Sequence, residues 1–147
     1  MTVDSGNTLG TLLAMLQSAA LEHLQRNLAA AGYADLRVAH MAVFRHIDAE
    51  RGSRLSGLAD SAGITKQSMG YLVDYLEEQG YIERLPDPTD GRSKLIRLTA
   101  KGKAVYTMMR LSDGETAQAW SDLLGENKMK KLRQLLDELA ELLGKAE

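Results

Sequence analysis

Residues 54–85 contain two helical segments separated by a tight turn, and this order constrains the fold more than any other feature. Ser56 is a suitable N-cap for the first helix, and Gly63 ends that helix. Thr65 is a suitable N-cap for the second helix, which ends at Gly80. The second helix has apolar residues at spacings of three and four, namely Met69, Leu72, Val73 and Leu76. The segment is therefore predicted to form a helix-turn-helix.

After the second helix the sequence changes from a helical to a strand pattern. The first strand is predicted from Tyr81, Ile82 and Leu85, and the second from Leu95, Ile96 and Leu98. Between them residues 86–91 read Pro-Asp-Pro-Thr-Asp-Gly, which are turn-forming residue types and include both prolines of the chain. We predict a β-hairpin with a long, stiff polar tip directly after the helix-turn-helix.

Two further helices are predicted before this segment. The first is amphipathic, and its apolar residues are Leu9, Leu12, Leu13, Leu16, Ala20, Leu24 and Leu28. It is expected to end near Gly32. The second is predicted from Leu36 to Arg51, with Gly52 as the residue that terminates it.

Two more helices are predicted after the hairpin. Thr99 is placed to cap the first, which is expected to have a bend or an irregular turn at Gly114 and to continue to about Leu124. Gly125 and Asn127 separate it from the last helix. The apolar stripe of the last helix consists of Met129, Leu132, Leu135, Leu136, Leu139, Leu142 and Leu143. Most of these residues alternate in steps of three and four, the spacing of a coiled-coil seam, so the stripe predicts a tight homodimer.

Composition excludes several classes of protein. The chain has 147 residues and no cysteine, so a disulfide scaffold, a thiolate metal site, a cysteine nucleophile and thiol redox sensing are excluded. A length of this size suits one ordinary domain, or a small domain with helical extensions. We find neither a signal peptide nor an apolar run long enough to span a membrane, and we therefore expect a cytoplasmic location.

Positive charge is concentrated in one part of a mildly acidic chain. The net charge is −2, but residues 81–110 carry seven basic and three acidic side chains, a local charge of +4. Such a stripe is the footprint of a nucleic-acid-binding surface. It is also what an ordinary lysine-rich, solvated surface looks like, and charge alone does not decide between the two.

The stretch from Leu36 to Lys103 resembles the multiple antibiotic resistance regulator (MarR) family of bacterial and archaeal transcription factors. The matching pieces are LSGLADSAGITKQSMGYLVDYLEEQGYIER and DPTDGRSKLIRLTAKG. The second piece is the more specific, because it contains the family's Asp-x-Arg wing signature as Asp90-Gly91-Arg92. A strand and a Leu-Thr-x-x-Gly helix start follow the signature. The resemblance covers about half of the chain by motif and nearly all of it by helix order.

The resemblance implies a mainly α, winged helix-turn-helix fold with a small β-hairpin wing. It assigns residues 36–104 to a DNA-binding lobe, and residues 1–35 and 105–147 to a helical dimerisation region in which two chains interleave. The homodimer would bind double-stranded DNA at a pseudo-palindromic operator and regulate transcription, most simply as a repressor. Small aromatic or anionic effectors often bind between lobe and dimerisation region in this family and weaken DNA binding.

The first turn of the second helix is the predicted base-reading element. In helix-turn-helix proteins the start of this recognition helix faces base edges. Gln67 can pair with adenine, Ser68 can bond to a base or a phosphate, and Lys66 can bind phosphate or guanine. Thr65 opens the helix, and the Tyr71 hydroxyl can reach a phosphate. The alternative is an ordinary polar first turn.

The wing supplies the second group of predicted DNA contacts. The resemblance makes Arg92 an arginine that enters the minor groove, where negative potential is concentrated, and makes Asp90 the residue that orients it. Lys94, Arg84 and Arg97 flank the hairpin and are candidates for phosphate contacts. The alternative for Arg92 and Asp90 is a surface ion pair of small energetic value.

The sequence offers little support for an enzyme or a metal protein. It contains no Gly-x-Ser-x-Gly, P-loop or Gly-x-Gly-x-x-Gly motif, so we expect neither catalysis nor a cofactor. His40 and His46 are six residues apart and would point to different sides of a helix, which disfavours a metal site.

The sequence leaves open an alternative function and the role of several methionines. Winged helices also serve as protein-interaction modules without specific DNA binding, and this is the alternative function. The methionines Met15, Met41, Met108 and Met109 suit either core packing or an adaptable effector pocket. Core packing is the simpler interpretation, and no effector-binding residue is predicted.

Overall fold

A computed structural model of the chain describes residues 6–145 and confirms the mainly α, winged helix-turn-helix fold. The elements are α1 (Leu9–Ala30), a 3₁₀ turn (Val38–His40), α2 (Met41–His46), α3 (Leu55–Ala62), α4 (Lys66–Glu78), β1 (Ile82–Asp87), β2 (Asp90–Leu98), α5 (Ala100–Leu124) and α6 (Glu126–Lys145). The chain forms two compact units, one ending at Ser112 and the other beginning at Asp113. The first unit contains both the helix-turn-helix and the hairpin.

The core of the first unit is built from the apolar faces of its helices and of the hairpin. Its largest fully buried side chains are Tyr81, Phe44, Leu24, Leu28, Leu58, Met69, Leu76, Ile82 and Ile96. In α4 the predicted apolar face is confirmed, because Met69, Val73 and Leu76 are fully buried. Burial of this face turns the polar first turn of α4 outward.

The turn between α3 and α4 has the predicted chemistry. Gly63 follows α3 with a left-handed backbone, at φ +69°. The Thr65 hydroxyl accepts a hydrogen bond from the backbone amide of Ser68 at 3.0 Å, which satisfies one of the free amides at the start of α4. The predicted cap of the recognition helix is therefore confirmed.

The prediction that Ser56 caps α3 was wrong. The helix begins at Leu55, and the preceding residue Arg54 occupies the cap position with an extended backbone. The Arg54 carbonyl accepts the first helical hydrogen bond, from the amide of Leu58 at 3.1 Å. Ser56 therefore lies inside the first turn, and its hydroxyl has no hydrogen-bond partner among residues 6–145.

The second predicted helix is shorter than expected. A helix over residues 36–51 was predicted, but only a 3₁₀ turn and α2 (Met41–His46) form. The carboxylate of Asp48 accepts hydrogen bonds from the backbone amides of Glu50 and Arg51, at 3.0 and 2.9 Å. These bonds stabilise a turn in place of further helix and lower the pKa of Asp48.

The hairpin is longer and its tip shorter than predicted. The two strands are antiparallel, with Ile82 opposite Leu98 and Asp87 opposite Asp90, and their register shifts between Pro86 and Asp87. Most of the predicted polar loop is thus part of the strands, and only residues 88–89 form the tip.

The start of α5 packs directly against the residues that follow the recognition helix. The Thr99 hydroxyl accepts a hydrogen bond from the amide of Gly102 at 3.1 Å and donates one to the carbonyl of Gly80 at 2.6 Å, so the predicted cap is confirmed. A Cβ at Gly102 would collide with the carbonyl of Tyr81. The Leu-Thr-x-x-Gly motif therefore reflects close backbone packing.

The predicted interruption of the helix by a bend or an irregular turn at Gly114 was wrong. Helix α5 runs without interruption through this residue to Leu124, because one glycine costs only about 1 kcal/mol in a helix relative to alanine and the flanking residues keep the backbone helical. The predicted break comes at Gly125, which has a left-handed backbone at φ +98°.

Two apolar stripes stay exposed in the single chain. The leucines of α6, in the second unit, are 48–62% exposed at Leu135, Leu136, Leu139, Leu142 and Leu143. The first half of α1, in the first unit, exposes Leu9, Leu12, Leu13, Met15 and Leu16. Stripes of this size on helix faces are typical of surfaces that another chain covers. No helix within residues 6–145 is long and apolar enough to cross a membrane.

Candidate nucleic-acid interface

The first turn of α4 presents a polar surface to solvent. Lys66, Gln67 and Ser68 are exposed, and Tyr71 is 66% exposed one turn later. The Gln67 amide donates a hydrogen bond to the Tyr71 hydroxyl at 3.3 Å. The remaining N–H and the carbonyl oxygen of Gln67 stay available for a base edge. The hydroxyl of Ser68, by contrast, accepts a hydrogen bond from Thr65 within the cap.

The wing tip places Arg92 in solvent. The Asp90 carboxylate accepts hydrogen bonds from the Arg92 backbone amide at 3.1 Å and from the Ser93 hydroxyl at 3.3 Å. Among residues 6–145 no carboxylate lies within ion-pair distance of the Arg92 guanidinium. Asp90 thus contacts Arg92 through the backbone turn, and the guanidinium remains free for an external anion.

Asp87 organises the wing, although the sequence pattern gave it no role. Its side chain is only 5% exposed and pairs with Arg54 at 2.6 Å, which ties the wing to the start of α3. The same carboxylate accepts bonds from the amide and hydroxyl of Thr89 at 2.9 and 2.8 Å. The Thr89 bonds, with Arg54, hold the pKa of Asp87 at about 2. The Asp-Pro-Thr order is a signal for such a turn.

We expect Asp87→Asn to lower the melting temperature at neutral pH and to loosen the wing. In the folded chain the pKa of Asp87 is about 2, against an ordinary value of 3.8, so its stabilisation is complete above about pH 4 and is lost as the pH falls through about 2. The melting temperatures of wild type and variant should therefore converge on acidification. Thermal unfolding followed by circular dichroism checks this, with Asp90→Asn as the exposed control. A gap that stays constant from pH 7 to pH 2 contradicts the assignment.

Arg84 joins the wing to the recognition helix. Its guanidinium donates to Asp74 at 2.7 Å and to Glu77 at 2.6 Å, and both acceptors lie on α4. The side chain was predicted to contact phosphate, but both carboxylates already hold it. These two ion pairs tie strand β1 to α4, and the phosphate contact of Arg84 stays a prediction.

A second anchor holds the other end of α4. The Tyr75 hydroxyl donates to the backbone carbonyl of Asp35 at 3.0 Å, and the Tyr81 hydroxyl donates to the Asp35 carboxylate at 2.9 Å. The His40 ring stacks on Tyr75 with centroids 4.4 Å apart, and burial lowers its pKa. Burial and the bond to Asp35 raise the pKa of Tyr81. Asp35 lies 40 residues or more from both tyrosines in sequence, so no local pattern indicated this cluster.

The histidines form no metal centre in the described part of the chain. His40 accepts a hydrogen bond from the backbone amide of Arg37 at 2.9 Å and packs in the core. His23 lies 3.4 Å from the Asn27 side chain on α1. Between residues 6 and 145, no group of three or more His, Asp or Glu residues is arranged to hold a metal ion.

The fold and this surface define a winged helix-turn-helix protein. Residues 34–93 match the family model described as MarR family. The transcriptional regulator FarR of Neisseria gonorrhoeae is 33% identical over 85 residues, which are 58% of this chain and 58% of FarR. Over these residues the chain is similar to the MarR family. The aligned part spans less than two thirds of FarR.

Solved structures with the same fold cover nearly all of the chain. The transcriptional repressor CouR, solved with a 23-mer DNA duplex, is 26% identical with a TM-score of 0.72, over 90% of this chain and 92% of CouR. Apo MarR of E. coli is 24% identical with a TM-score of 0.71, over 92% of this chain and 98% of MarR. The likeness to MarR of E. coli concerns the fold alone.

Proposed function

We propose that the protein is a homodimeric, sequence-specific regulator of transcription that binds double-stranded DNA. One observation carries the proposal: the first compact unit exposes both the polar first turn of α4 and, at the wing tip, the guanidinium of Arg92, which has no ion-pair partner among residues 6–145. The first element suits base edges in the major groove, and the second suits the narrow minor groove. The DNA-bound relative CouR supports the same assignment.

The homodimer is part of the proposal. The leucines of α6 and the first half of α1 are exposed in the single chain, and burying them against a second copy removes them from water. We assign residues 1–35 and 105–147 to this dimerisation region and residues 36–104 to the DNA-binding lobe. A two-fold dimer would place two recognition helices on the half-sites of a pseudo-palindromic operator.

The mode of regulation is also proposed from the resemblance. Repression is the simplest mode, and the relative CouR is named a repressor. Another CouR structure, from Rhodococcus jostii RHA1, contains p-coumaroyl-CoA and is 24% identical to this chain, a likeness of fold alone. A small aromatic or anionic effector that releases the protein from DNA completes the proposal. The competing function is a protein-interaction module, which has no need of a free arginine at the wing tip.

The Gln67→Ala variant tests whether α4 reads bases. Loss of a base contact should weaken binding to the preferred duplex by about 1–3 kcal/mol. Because a neutral side chain releases no counterions, the salt dependence of binding should stay nearly unchanged. Affinity for scrambled duplex should change little. Fluorescence anisotropy titrations on both duplexes at several salt concentrations measure all three quantities.

Gln79→Ala is the matched control, because Gln79 lies at the other end of α4. The control should bind both duplexes as the wild type does. If Gln67→Ala weakens scrambled duplex as much as the preferred one, Gln67 reads no base and the placement of the recognition helix is wrong.

A further inference from the structure

A small cleft joins three elements of the DNA-binding lobe. Its volume is about 220 Å³, and it lies where the starts of α3 and α4 approach strand β2. The lining residues are Arg54, Leu55, Ser56, Lys66, Ser93 and Lys94. Five of the six carry hydrogen-bond donors on their side chains, so the cleft is suited to an acceptor-rich ligand.

The charges in the cleft are only partly neutralised. Arg54 is paired with Asp87, but neither Lys66 nor Lys94 has an ion-pair partner among residues 6–145. Two ammonium groups that line one cleft repel each other, and an anion bound between them is attracted to both. The cleft therefore has the electrostatics of an anion site.

The polar groups beside the lysines suit a phosphate. Ser56 lies inside the first turn of α3, half-buried, and its hydroxyl can donate to a phosphate oxygen. Ser93 donates to Asp90 in the unbound chain at 3.3 Å, a long bond that a stronger acceptor can replace. The Arg54–Asp87 pair fixes the wall of the cleft against the wing.

We propose that this cleft binds one phosphodiester of the DNA backbone, held jointly by Lys66 of the recognition helix and Lys94 of the wing, with Ser56 as a hydroxyl donor. The inference rests on the proposed DNA binding. It adds that the recognition helix and the wing contact the same phosphate. Phosphate contacts position a protein on the duplex. One shared phosphate would therefore set the register of the recognition helix and of the wing together.

The test replaces the phosphates of the preferred duplex one at a time by neutral methylphosphonates. On unmodified duplex, Lys66→Ala and Lys94→Ala should each weaken binding severalfold. One and the same methylphosphonate position should abolish the effect of both variants. Removing both lysines should lower the salt slope by about one unit, because one phosphate is lost, whereas two separate contacts would give about two. Ser56→Ala should lose its effect at the same position.

Lys103→Ala is the control, because Lys103 lies on α5 outside the cleft and should show no coupling to that position. Coupling of Lys66 and Lys94 to two different phosphates overturns the shared site and leaves DNA binding intact. Stabilisation of the lobe by inorganic phosphate through both lysines, with no sensitive position in the duplex, means a free phosphate ligand and also overturns the inference. Absence of binding to any duplex at low salt defeats the proposed function itself.

Discussion

The Leu136→Glu/Leu139→Glu double variant is expected to be monomeric and to lose DNA affinity by about 10²–10⁴-fold. Both leucines are about half exposed on the α6 stripe, and two carboxylates there would oppose burial against a second copy. A monomer would engage one half-site and lose the gain from linking two binding modules. Analytical ultracentrifugation gives the oligomeric state, and anisotropy titration gives the affinity.

The Asn127→Asp/Gln134→Glu variant is the matched control. It adds the same charge to the opposite face of α6, as the helical spacing requires, and should remain dimeric. Deleting the chain after Gly125 is a stronger change and should cause unfolding or aggregation. A folded wild-type monomer at micromolar concentration contradicts the proposed homodimer.

Arg92→Ala is expected to weaken binding to the preferred duplex by about 1–3 kcal/mol, roughly five- to 150-fold, while the fold survives. The side chain is exposed at the wing tip, and its guanidinium makes no ion pair among the described residues, so little stability depends on it. Anisotropy titrations at matched salt measure the loss. Arg110→Ala, which removes an exposed arginine from α5, is the control.

The Asp90→Ala variant separates positioning from contact. It removes the acceptor of the Arg92 amide and leaves the guanidinium in place, so it should weaken binding less than Arg92→Ala. Equal affinity of the wild type and Arg92→Ala for the preferred duplex rules out the minor-groove role. In that case the free guanidinium is only a solvated surface charge.

The elements that the sequence predicted well are those governed by local chemistry. The cap at Thr65, the left-handed Gly63 and the buried face of α4 each depend on residues within one or two turns. Each of these features is indicated by residues close together in the sequence, so the sequence predicted which face of the recognition helix is buried. The cap at Thr99 was predictable for the same reason.

The features that the sequence did not reveal depend on distant pairs or on competing local bonds. Asp87 meets Arg54 across 33 positions, and no pattern within either segment indicates the partner. Asp35 likewise receives Tyr81 across 46 positions. Asp48 shows a different difficulty: the apolar spacing favoured a longer helix, but its carboxylate stabilised a turn instead.

Contacts between residues far apart in the sequence hold the wing and the recognition helix of the candidate site together. Arg84 fixes the wing to α4, Asp87 fixes it to α3, and Asp35 holds the far end of α4. The predicted contact residues at the start of α4 and at the wing tip are therefore held in place by ion pairs and hydrogen bonds from other parts of the lobe. Preorganisation of this kind lowers the entropic cost of binding.

The most direct test of the account is the specificity of the wild-type protein for double-stranded DNA. A preferred duplex is selected from a random pool, and its affinity is compared with that of a scrambled duplex at the same salt concentration. We expect a single pseudo-palindromic sequence to be enriched and to bind at least about 10³-fold more tightly than the scrambled duplex. No enrichment, or equal affinity for both duplexes at physiological salt, contradicts sequence-specific recognition by this chain.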